Sequence, residues 1–235
     1  MIVNSLVYFL AVITRGDESV VLPVTESALC LYLCGGSWFS KPRDYFFYGI
    51  LIMMDRQDIL EGLFLLPTRK FEDARGYFME TYSMSALRDH IGERIFVQDN
   101  LSCSRKGVFR GMHAQLAPYA QSKLVRVLHG AIVDYVLDVD PESATFGRWN
   151  SFELDADGAT ALFIPAGYAH GFVALEDDTL LSYKVDMPYH PESEVCYHYS
   201  TSGIGADAER RLSGSVQLII SEKDKEGIRL NTDNQ

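Results

Sequence analysis

Short apolar runs separated by turn residues set the hydrophobic pattern of the chain from Ile59 onward. The runs are rich in Val, Leu, Phe and Tyr, and Gly, Pro, Asp and Asn interrupt them, which is typical of short strands joined by turns. Many short strands at this spacing favour a β-sandwich or barrel, of which the jelly roll is one form. The predicted strands are Gly62–Leu66, Tyr77–Tyr82, Ile95–Asn100, Val108–Met112, Lys123–Leu128, Ala131–Asp138, Trp149–Leu154, Ala161–Ile164, Gly171–Ala174 and Thr179–Val185.

One helix stands out among these strands. The stretch "SMSALRDHI" from Ser83 to Ile91 has helical character, and Ser83 is placed to cap its first turn. No repeat, linker or low-complexity segment divides the chain after residue 55. We therefore predict one all-β domain over residues 55–235, with a few short helices.

Residues 1–54 differ in character, and we expect an irregular N-terminal extension there. Ile2–Thr14 is apolar, but no Lys or Arg precedes it and it is shorter than the ~20 apolar residues of a membrane span. Ser27–Trp38 is a second apolar run without clear periodicity. An orderly pattern begins at Met53–Met54, which suggests that the preceding residues extend the reading frame upstream of the domain. A membrane anchor or a partner-binding arm is the competing interpretation.

The distribution of charge points to an anionic ligand rather than to nucleic acid. The formal net charge is −11, whereas phosphate backbones are bound by basic surfaces. With 47% hydrophobic and 23% charged residues the composition is that of an ordinary globular protein, so we expect neither a nucleic-acid nor a membrane partner. Residues 101–133 contain no Asp or Glu. This basic island steers an anion by its local field, unless its charges merely share a solvated hairpin. Its cations are Arg105, Lys106, Arg110, Lys123 and Arg126.

The cysteines favour a reduced, cytoplasmic protein. Cys30, Cys34, Cys103 and Cys196 have neither the spacing of a zinc site nor that of a redox CxxC motif. Scattered thiols are typical of a reducing compartment, although the sequence is also compatible with one bridge. A chain of this length can bury a core of normal size, so that folding requires no metal or disulfide.

Two segments carry the candidate chemistry, and the first is "VFRGMHAQ" at Val108–Gln115. On a regular strand its side chains would alternate between two faces. One face would present Arg110, Met112 and Ala114, and the other Phe109, Gly111, His113 and Gln115. A His beside a Gln on an inner face is compatible with a base, a metal ligand or a satisfied core residue, and the pattern alone does not separate these.

The second segment is "FIPAGYAHGF" at Phe163–Phe172. Pro165 fixes the backbone and Gly167 permits a tight turn, so that the following strand can re-enter the barrel with His170 pointing inward. Two such segments in one short β-domain favour a functional pocket over two unrelated core histidines.

These segments and their surroundings resemble the dTDP-4-dehydrorhamnose 3,5-epimerase family. The resemblance rests on "FEDARGYFMETY", on "VQDNLSCSRKGVFRGMHAQLAPYAQSKLVRVLHGAIVDYVLDVDPESATFGRW" and on "IPAGYAHGFVALEDDTLLSYK", and it covers roughly Leu60 to Asp224. It implies a cupin-like jelly roll, usually a homodimer, that uses no metal and no other cofactor.

The resemblance also implies a role for each matching residue. His113 matches the proton-abstracting base, and Asp224 in "SEKD" matches the carboxylate that orients this base. Tyr183 matches the acid on the opposite face of the sugar, and Lys123 matches a lysine near the carbonyl oxygen of the sugar. The implied substrate-binding positions are Arg75, Phe78, Glu80, Gln98, Asn100, Arg110, Asp134, His170 and Tyr189.

The implied activity is inversion of C3 and C5 of dTDP-4-keto-6-deoxy-D-glucose, which gives dTDP-4-dehydro-L-rhamnose. A 4-keto group acidifies the hydrogens on both carbons, so a neutral His beside a carboxylate can remove one. The enolate that forms carries charge on O4, which a nearby Lys stabilises. Arg75 and Arg110 suit the diphosphate, because a guanidinium binds phosphate through paired hydrogen bonds.

Three alternatives stay open at this point. A related epimerase would invert only C3 or only C5 of another nucleotide deoxysugar. A metal-dependent cupin would use His113 and His170 with His129 or Glu80, but Gln115 stands where such sites usually have a second His. A non-catalytic binding module would keep the nucleotide pocket, yet it would need no base and acid together.

One stretch departs from the family pattern. After Tyr189-His190-Pro191 the family usually continues with an "Nx-D-P…I-x-W" stretch, whereas this chain has "VCYHYSTSGIGADAERRLSGSVQ", without a Trp. Asp140 also stands where an Arg is common. Because the unusual stretch precedes Asp224, its geometry decides whether this carboxylate reaches His113.

Overall fold

The computed structural model describes Phe9–Arg15, Glu18–Val24, residues 60–214 and residues 216–230. The chain divides into two compact units, Met1–Ile59 and Leu60–Gln235. In the first unit, β1 (Phe9–Arg15) and β2 (Glu18–Val24) form an antiparallel pair that the hydrophobic pattern did not predict. The run Ser27–Trp38 and the start at Met53–Met54 lie outside the described residues, so the extension over residues 1–54 stays a prediction.

Two mostly antiparallel sheets form the second unit. The first sheet contains, in spatial order, β3 (Phe64–Pro67), β11 (Thr160–Ile164), β8 (Lys123–His129), β13 (Thr179–Val185) and β6 (Gln98–Ser104). The second contains, in spatial order, β10 (Trp149–Asp155), β9 (Ala131–Asp138), β12 (Tyr168–Ala174), β7 (Val108–Gln115) and β14 (Glu194–Cys196). In addition, β15 (Ile219–Ile220) pairs parallel with β7. A separate hairpin consists of β4 (Phe71–Asp73) and β5 (Gly76–Phe78).

Helices are few and short, as predicted. They are α1 (Met84–Ile91), α2 (Ile204–Arg211) and α3 (Glu222–Lys225), with 3₁₀ turns at Pro191–Ser193 and Thr201–Gly203. Ser83 occupies the N-cap of α1 as expected, but its hydroxyl bonds to that of Ser85 at 3.0 Å instead of capping the helix. Within the described parts of the chain, none of the helices has the length and apolar character needed to cross a membrane.

The stretch that departs from the family pattern covers one face of the second sheet. Tyr135 and Leu137 of β9 are fully buried, and they share a core cluster with Ile204 and Ala208 of α2. Because side chains alternate along a strand, Asp134 points to the opposite face, toward the first sheet. The unusual segment therefore packs behind the sheet that carries the candidate residues.

Several predicted strand boundaries were wrong, and the strand predicted over Gly171–Ala174 begins at Tyr168. The strand predicted over Tyr77–Tyr82 ends at Phe78, and the one predicted over Ile95–Asn100 begins at Gln98 and continues to Ser104. The strand predicted over Val108–Met112 continues to Gln115. Aromatic and β-branched residues favour strands through packing, so they do not mark where pairing with a neighbour begins or ends.

A bulge in β7 also overturns the predicted alternation of side chains. His113 lies opposite His170, but Arg110 lies opposite Phe172, so β7 has one more residue than β12 between these pairs. The extra residue brings Arg110 to the same side as His113, although strict alternation had separated them. Phe109, Met112 and Ala114 instead belong to the core cluster on the other face. Gly111 has φ +118°, and a Cβ there would lie 2.6 Å from Cα of Gly171, so this close approach requires glycine.

Candidate active site

A cavity of about 560 Å³ lies between the sheets and collects most of the predicted catalytic side chains. Lys123 and Tyr183 line it from the first sheet, and Arg110, His113 and His170 line it from the second. Its volume suits a small ligand. Because Arg110 and Lys123 belong to the acid-free stretch of the sequence, the basic island contributes directly to this cavity.

His113 and Asp224 form a close pair of titratable groups in the cavity wall. Nε2 of His113 lies 2.7 Å from Oδ1 of Asp224. The Asp224 side chain is 5% exposed, whereas the imidazole is 31% exposed. When the carboxylate accepts the Nε2–H, the lone pair remains on Nδ1, and this nitrogen can take a proton. A buried carboxylate bound to a more exposed imidazole is the arrangement of an oriented general base.

Asp224 is held in place by α3 and by β7. The backbone N–H of Asp224 donates to Oγ of Ser221 at 3.2 Å, and the N–H of Gly111 donates to Oδ2 at 3.5 Å. Burial raises the pKa of this carboxyl, but the hydrogen bond and charge of His113 outweigh that effect and the pKa lies below its usual value. Asp224 is therefore ionised at neutral pH.

The unusual stretch before Asp224 does not displace this residue. Strand β15 follows that stretch and pairs with β7, so that Ile219 lies opposite Val108 and Ile220 lies opposite Phe109. The chain then enters α3, which presents Asp224 to His113.

Lys123 is buried beside the base. It is 7% exposed, and its Nζ donates to the backbone carbonyl of His113 at 3.1 Å. Burial lowers the pKa of the ammonium to about 8, although the charges of Asp134 and Glu194 oppose this shift. Lys123 is thus mainly protonated at pH 7 and places a positive charge inside the cavity.

His170 is paired with the buried carboxylate of Asp134. Nε2 of His170 lies 2.7 Å from Oδ2 of Asp134, and the Asp134 side chain is completely buried. Burial raises the pKa of Asp134, while His170 and then Lys123 oppose this effect. Oδ1 of Asp134 has no hydrogen-bond partner among the described residues. The carboxylate fixes the orientation of the His170 ring, which lines the cavity.

Tyr183 faces His113 from the opposite sheet. It lies on β13, opposite Val125 of β8, and lines the cavity. Burial raises the pKa of its phenol, the charge of Glu194 adds to this, and the charge of Arg110 opposes it. The phenol therefore keeps its proton at neutral pH and is available as an acid.

Glu194, Lys223 and Gln115 are among the polar residues that line the cavity but received no role from the sequence. Glu194 accepts hydrogen bonds at Oε2 from the Tyr189 hydroxyl at 2.9 Å and from Nζ of Lys223 at 2.6 Å. These contacts hold Tyr189 at the rim, where it is 51% exposed. Lys223 directly precedes Asp224, which is a usable signal. Glu194 lies just before the stretch that departs from the family pattern, and no feature of the sequence around it indicates a role.

Gln115, the third of these, joins the two loops that border the cavity. It is 6% exposed, its Nε2 donates to the carbonyls of Tyr119 and Pro188 at 2.7 and 3.3 Å, and its Oε1 accepts from the N–H of His190 at 2.8 Å. The rings of Tyr119 and His190 stack with centroids 3.7 Å apart. Gln115 thereby fixes the loop that carries Tyr189.

The predicted nucleotide-binding residues on β6 and β7 lie close to Tyr189. Arg110 lines the cavity, and its Nε donates to Oγ of Ser104 at 3.0 Å. Gln98 donates through Nε2 to Oδ1 of Asn100 at 2.8 Å and accepts at Oε1 from the N–H of Tyr189 at 3.0 Å. Gln98 and Asn100 do not line the cavity itself, but Gln98 helps to position its rim.

Arg75, Phe78 and Glu80 also lie outside the lining of this cavity. Arg75 and Phe78 lie on the exposed β4–β5 hairpin and Glu80 follows it. The Arg75 guanidinium binds Asp73 of the same hairpin at 2.5 Å, and Phe78 is 69% exposed. Within a single chain these three residues face solvent.

The metal-ligand set of the alternative cupin reading is not assembled. Nε2 of His170 is bound to Asp134, His129 lies opposite Leu180 at the far end of β8, and Glu80 is exposed. Over the described residues, the one group of potential ligands that converges is His113, Cys196 and Asp224.

Comparison with known sequences identifies the family. Residues 57–232 match the family model described as dTDP-4-dehydrorhamnose 3,5-epimerase. The dTDP-4-dehydrorhamnose 3,5-epimerase of Escherichia coli K12 is 42% identical over 167 residues, which are 71% of this chain and 88% of that protein. The enzyme of the same name from Methanothermobacter thermautotrophicus is 40% identical over 166 residues, 71% of this chain and 88% of that protein.

Solved structures agree with the sequence comparison. RmlC of Legionella pneumophila, in complex with dTDP-4-keto-L-rhamnose, is 34% identical with a TM-score of 0.66 and covers 74% of this chain and 91% of its own. ChmJ of Streptomyces bikiniensis, a 3'-monoepimerase in complex with dTDP-quinovose, is 28% identical with a TM-score of 0.65, covering 72% and 84%. The likeness confirms the predicted cupin-like jelly roll. The chain belongs to the dTDP-4-dehydrorhamnose 3,5-epimerase family.

Proposed function

We propose that this protein is an isomerase that converts dTDP-4-keto-6-deoxy-D-glucose to dTDP-4-dehydro-L-rhamnose, a step of dTDP-L-rhamnose synthesis for cell-surface polysaccharide. The observation that carries the proposal is the 2.7 Å contact between His113 and the buried Asp224, at a cavity that Lys123 and Tyr183 line from the opposite sheet. Membership of the family supplies the substrate class. We place the reaction in the cytoplasm, in keeping with the free thiols of Cys103 and Cys196.

His113 starts the reaction by taking a proton from a carbon next to the 4-keto group. Nδ1 accepts the proton, and the electron pair of the C–H bond moves into the ring and onto O4, which becomes an enolate oxygen. Asp224 stabilises the imidazolium that results, because its ionised carboxylate lies 2.7 Å from Nε2.

Lys123 and His170 interact with the oxygen of the enolate. The buried ammonium of Lys123 carries a positive charge in a partly dry cavity, where its interaction with a developing oxyanion is stronger than in water. His170 is held by Asp134 and contributes a fixed polar group to the same cavity.

Tyr183 completes the inversion from the other side of the sugar. Its phenol donates a proton to the carbon on the face opposite to His113, and the electron pair returns from O4 to restore the ketone. Solvent then restores the proton of Tyr183 and removes the one from His113. Inversion at the second carbon can then repeat the same two steps, and solvent resets both groups again.

The nucleotide part of the substrate explains the exposed hairpin if the protein is a homodimer. Arg110 is the guanidinium that lines the cavity of its own chain, and Arg75 is carried on a hairpin that exposes the aromatic rings of Phe71, Tyr77 and Phe78. We infer that this hairpin packs on a second copy and places Arg75, Phe78 and Glu80 at the partner's nucleotide. Gln98, Asn100 and Tyr189 form the rim on which the nucleotide would rest.

A second candidate is inversion at a single carbon, as in the 3'-monoepimerase ChmJ, whose structure is also similar to this one. The same base and acid would serve either reaction. The product distinguishes the two: borohydride reduction of the reaction mixture, followed by hydrolysis and sugar analysis, yields L-rhamnose with its C4 epimer after double inversion. A single-centre epimerase yields other 6-deoxyhexoses, and a non-catalytic binder yields only those of the unchanged substrate.

A further inference from the structure

Cys196 stands beside the His113–Asp224 pair and has no part in the proposed reaction. Strand β14 places it directly opposite His113 on β7. Met112 and Tyr197 exchange both backbone hydrogen bonds, at 3.2 and 2.8 Å. His113 and Cys196 are therefore the adjacent non-hydrogen-bonded pair, in which side chains of an antiparallel ladder lie closest. Sγ of Cys196 is 3.6 Å from Oδ1 of Asp224.

The donor atoms of the three residues have the spacing of a metal site. A nitrogen, a sulfur and an oxygen from His113, Cys196 and Asp224 lie within 4.8 Å of one another. Zinc takes these ligand types at about 2.0–2.3 Å in tetrahedral geometry, which puts neighbouring donor atoms roughly 3.3–3.5 Å apart. The separation of 3.6 Å from Oδ1 to Sγ is close to those values, whereas the 2.7 Å from Nε2 to Oδ1 is that of a hydrogen bond and must lengthen when a metal ion takes the place of the proton. Small side-chain rotations would bring the three donor atoms to the spacing that zinc requires.

The charges at this point also suit a divalent cation. The Asp224 carboxylate and a Cys196 thiolate together neutralise two positive charges, and the thiol proton passes to solvent when the metal binds. Two ammonium groups nearby oppose a cation, but Lys223 is paired with Glu194 at 2.6 Å and Lys123 is turned to the His113 carbonyl at 3.1 Å. The open side of the imidazole leaves room for water as the fourth ligand.

We propose that His113, Cys196 and Asp224 form a zinc site, and that zinc bound there inhibits the protein. The ion replaces the hydrogen bond between His113 and Asp224 and occupies the lone pair of Nε2. Nε2 gives up its proton to solvent when the ion binds, and Nδ1 takes one from solvent, so the neutral imidazole carries its proton on Nδ1 and His113 can no longer accept one from a sugar. The binding part stands by itself, whereas the inhibition part rests on the proposed function.

Cobalt(II) titrated into the purified full-length protein tests the binding part, because a thiolate ligand gives a sulfur-to-cobalt charge-transfer band. We expect this band, and tetrahedral d–d absorption, in the wild type. Cys196→Ser should lose the charge-transfer band and bind zinc at least about tenfold more weakly. Asp224→Asn keeps the thiol, so it should keep the band while its zinc affinity also falls at least about tenfold. A wild type without the band, or a band that survives Cys196→Ser, would overturn the site.

Other cysteines provide the controls. Cys103→Ser removes an exposed thiol on β6, and a Cys30→Ser/Cys34→Ser double variant removes two thiols outside the described residues. Both should keep the band and the zinc affinity of the wild type. Loss of the band in either variant would place the metal elsewhere and overturn the assignment.

Zinc inhibition tests the second part. Zinc should suppress epimerisation by the wild type, a chelator should restore it, and Cys196→Ser should require at least about tenfold more zinc. Saturation with zinc that leaves epimerisation unchanged would overturn the inhibition. A protein without epimerase activity would contradict the proposed function, while the cobalt spectra would still decide the metal site.

Discussion

Asp224 reaches His113 across 111 positions of the chain, and Oδ1 and Nε2 of the two residues meet at 2.7 Å. The contact depends on backbone geometry rather than on neighbouring sequence. Strand β15 brings the chain back alongside β7, and α3 turns the carboxylate toward the imidazole. This pairing gives a strand histidine with many possible roles the geometry of an oriented base.

Replacing His113 with Ala should reduce proton exchange at the sugar by at least about 10³-fold, because His113 is the proposed base and the other imidazole of the cavity, His170, is assigned to the enolate oxygen. Binding of dTDP, measured by calorimetry, should change little, since the proposed nucleotide contacts are made by other residues. His129→Ala is the matched control, because His129 is exposed at the end of β8 and should be dispensable. Substantial exchange in His113→Ala would refute its role.

Tyr183→Phe should lower inversion more than it lowers exchange. The first proton transfer to His113 survives without the phenol, whereas delivery of a proton to the opposite face does not. Product formation and deuterium uptake, followed in the same sample, measure the two rates. Tyr168→Phe is a suitable control, because its hydroxyl bonds to the Glu61 carbonyl away from the cavity. Equal loss of both rates in Tyr183→Phe would count against Tyr183 as the acid.

Lys123 should make the activity fall as the pH rises through about 8, the value to which burial lowers its pKa. Lys123→Met should lose about 10²–10³-fold in rate and should lack this alkaline limb. Unfolding does not explain the loss of activity at alkaline pH. Between about 8 and the usual value of 10.5 the folded protein binds fewer protons than the unfolded chain, so this group makes the free energy of unfolding rise with pH. Rate profiles together with circular dichroism at each pH test this prediction.

The sequence identifies several residues that line the cavity, but it does not predict the geometry that assembles them. Four of these residues lie in motifs that also predict strands, so that the sequence indicates both their type and their place in the fold. They are His113, Lys123, His170 and Tyr183. The bulge at Gly111 could not be predicted from the sequence, because a regular strand and a bulged strand have the same composition. Only the register with β12 reveals the extra residue. Strict alternation therefore placed Arg110 on the wrong face.

The other features that could not be predicted from the sequence depend on contacts between residues far apart in the chain. Glu194 meets Tyr189 and Lys223 only because β14 pairs with β7, and nothing near it in the sequence indicates these partners. The burial of Asp134 beside His170 depends in the same way on the pairing of β9 with β12. The hairpin with Arg75 shows the opposite case, in which a matching motif lies outside the cavity of its own chain.

Gln115→Ala should lower the free energy of unfolding by about 1–3 kcal/mol, because it removes the hydrogen bonds of a buried side chain to backbone groups of Tyr119 and His190. It should also raise KM more than it lowers kcat, since it releases the loop that carries Tyr189. Urea unfolding and steady-state kinetics measure the two effects. Gln217→Ala, on the exposed surface, should show neither. An unchanged stability would contradict the bridging role of Gln115.

Arg75→Ala should weaken substrate binding, and mixing it with His113→Ala should restore activity if the hairpin serves a partner's site. In a mixed dimer one site has an intact base and an intact hairpin, so a statistical mixture should regain up to about a quarter of wild-type activity. Subunit exchange is verified by native mass spectrometry of the mixture. Dimers that exchange subunits without regaining activity would place Arg75 at its own chain's site or at none.

Proton NMR of dTDP-4-keto-6-deoxy-D-glucose in D₂O with the wild-type protein tests the epimerase assignment most directly. Loss of both the C3 and the C5 proton signals, at rates that His113→Ala abolishes, is the predicted result. Exchange at one carbon alone would contradict double epimerisation, and the absence of exchange at either carbon would contradict the proposed function itself.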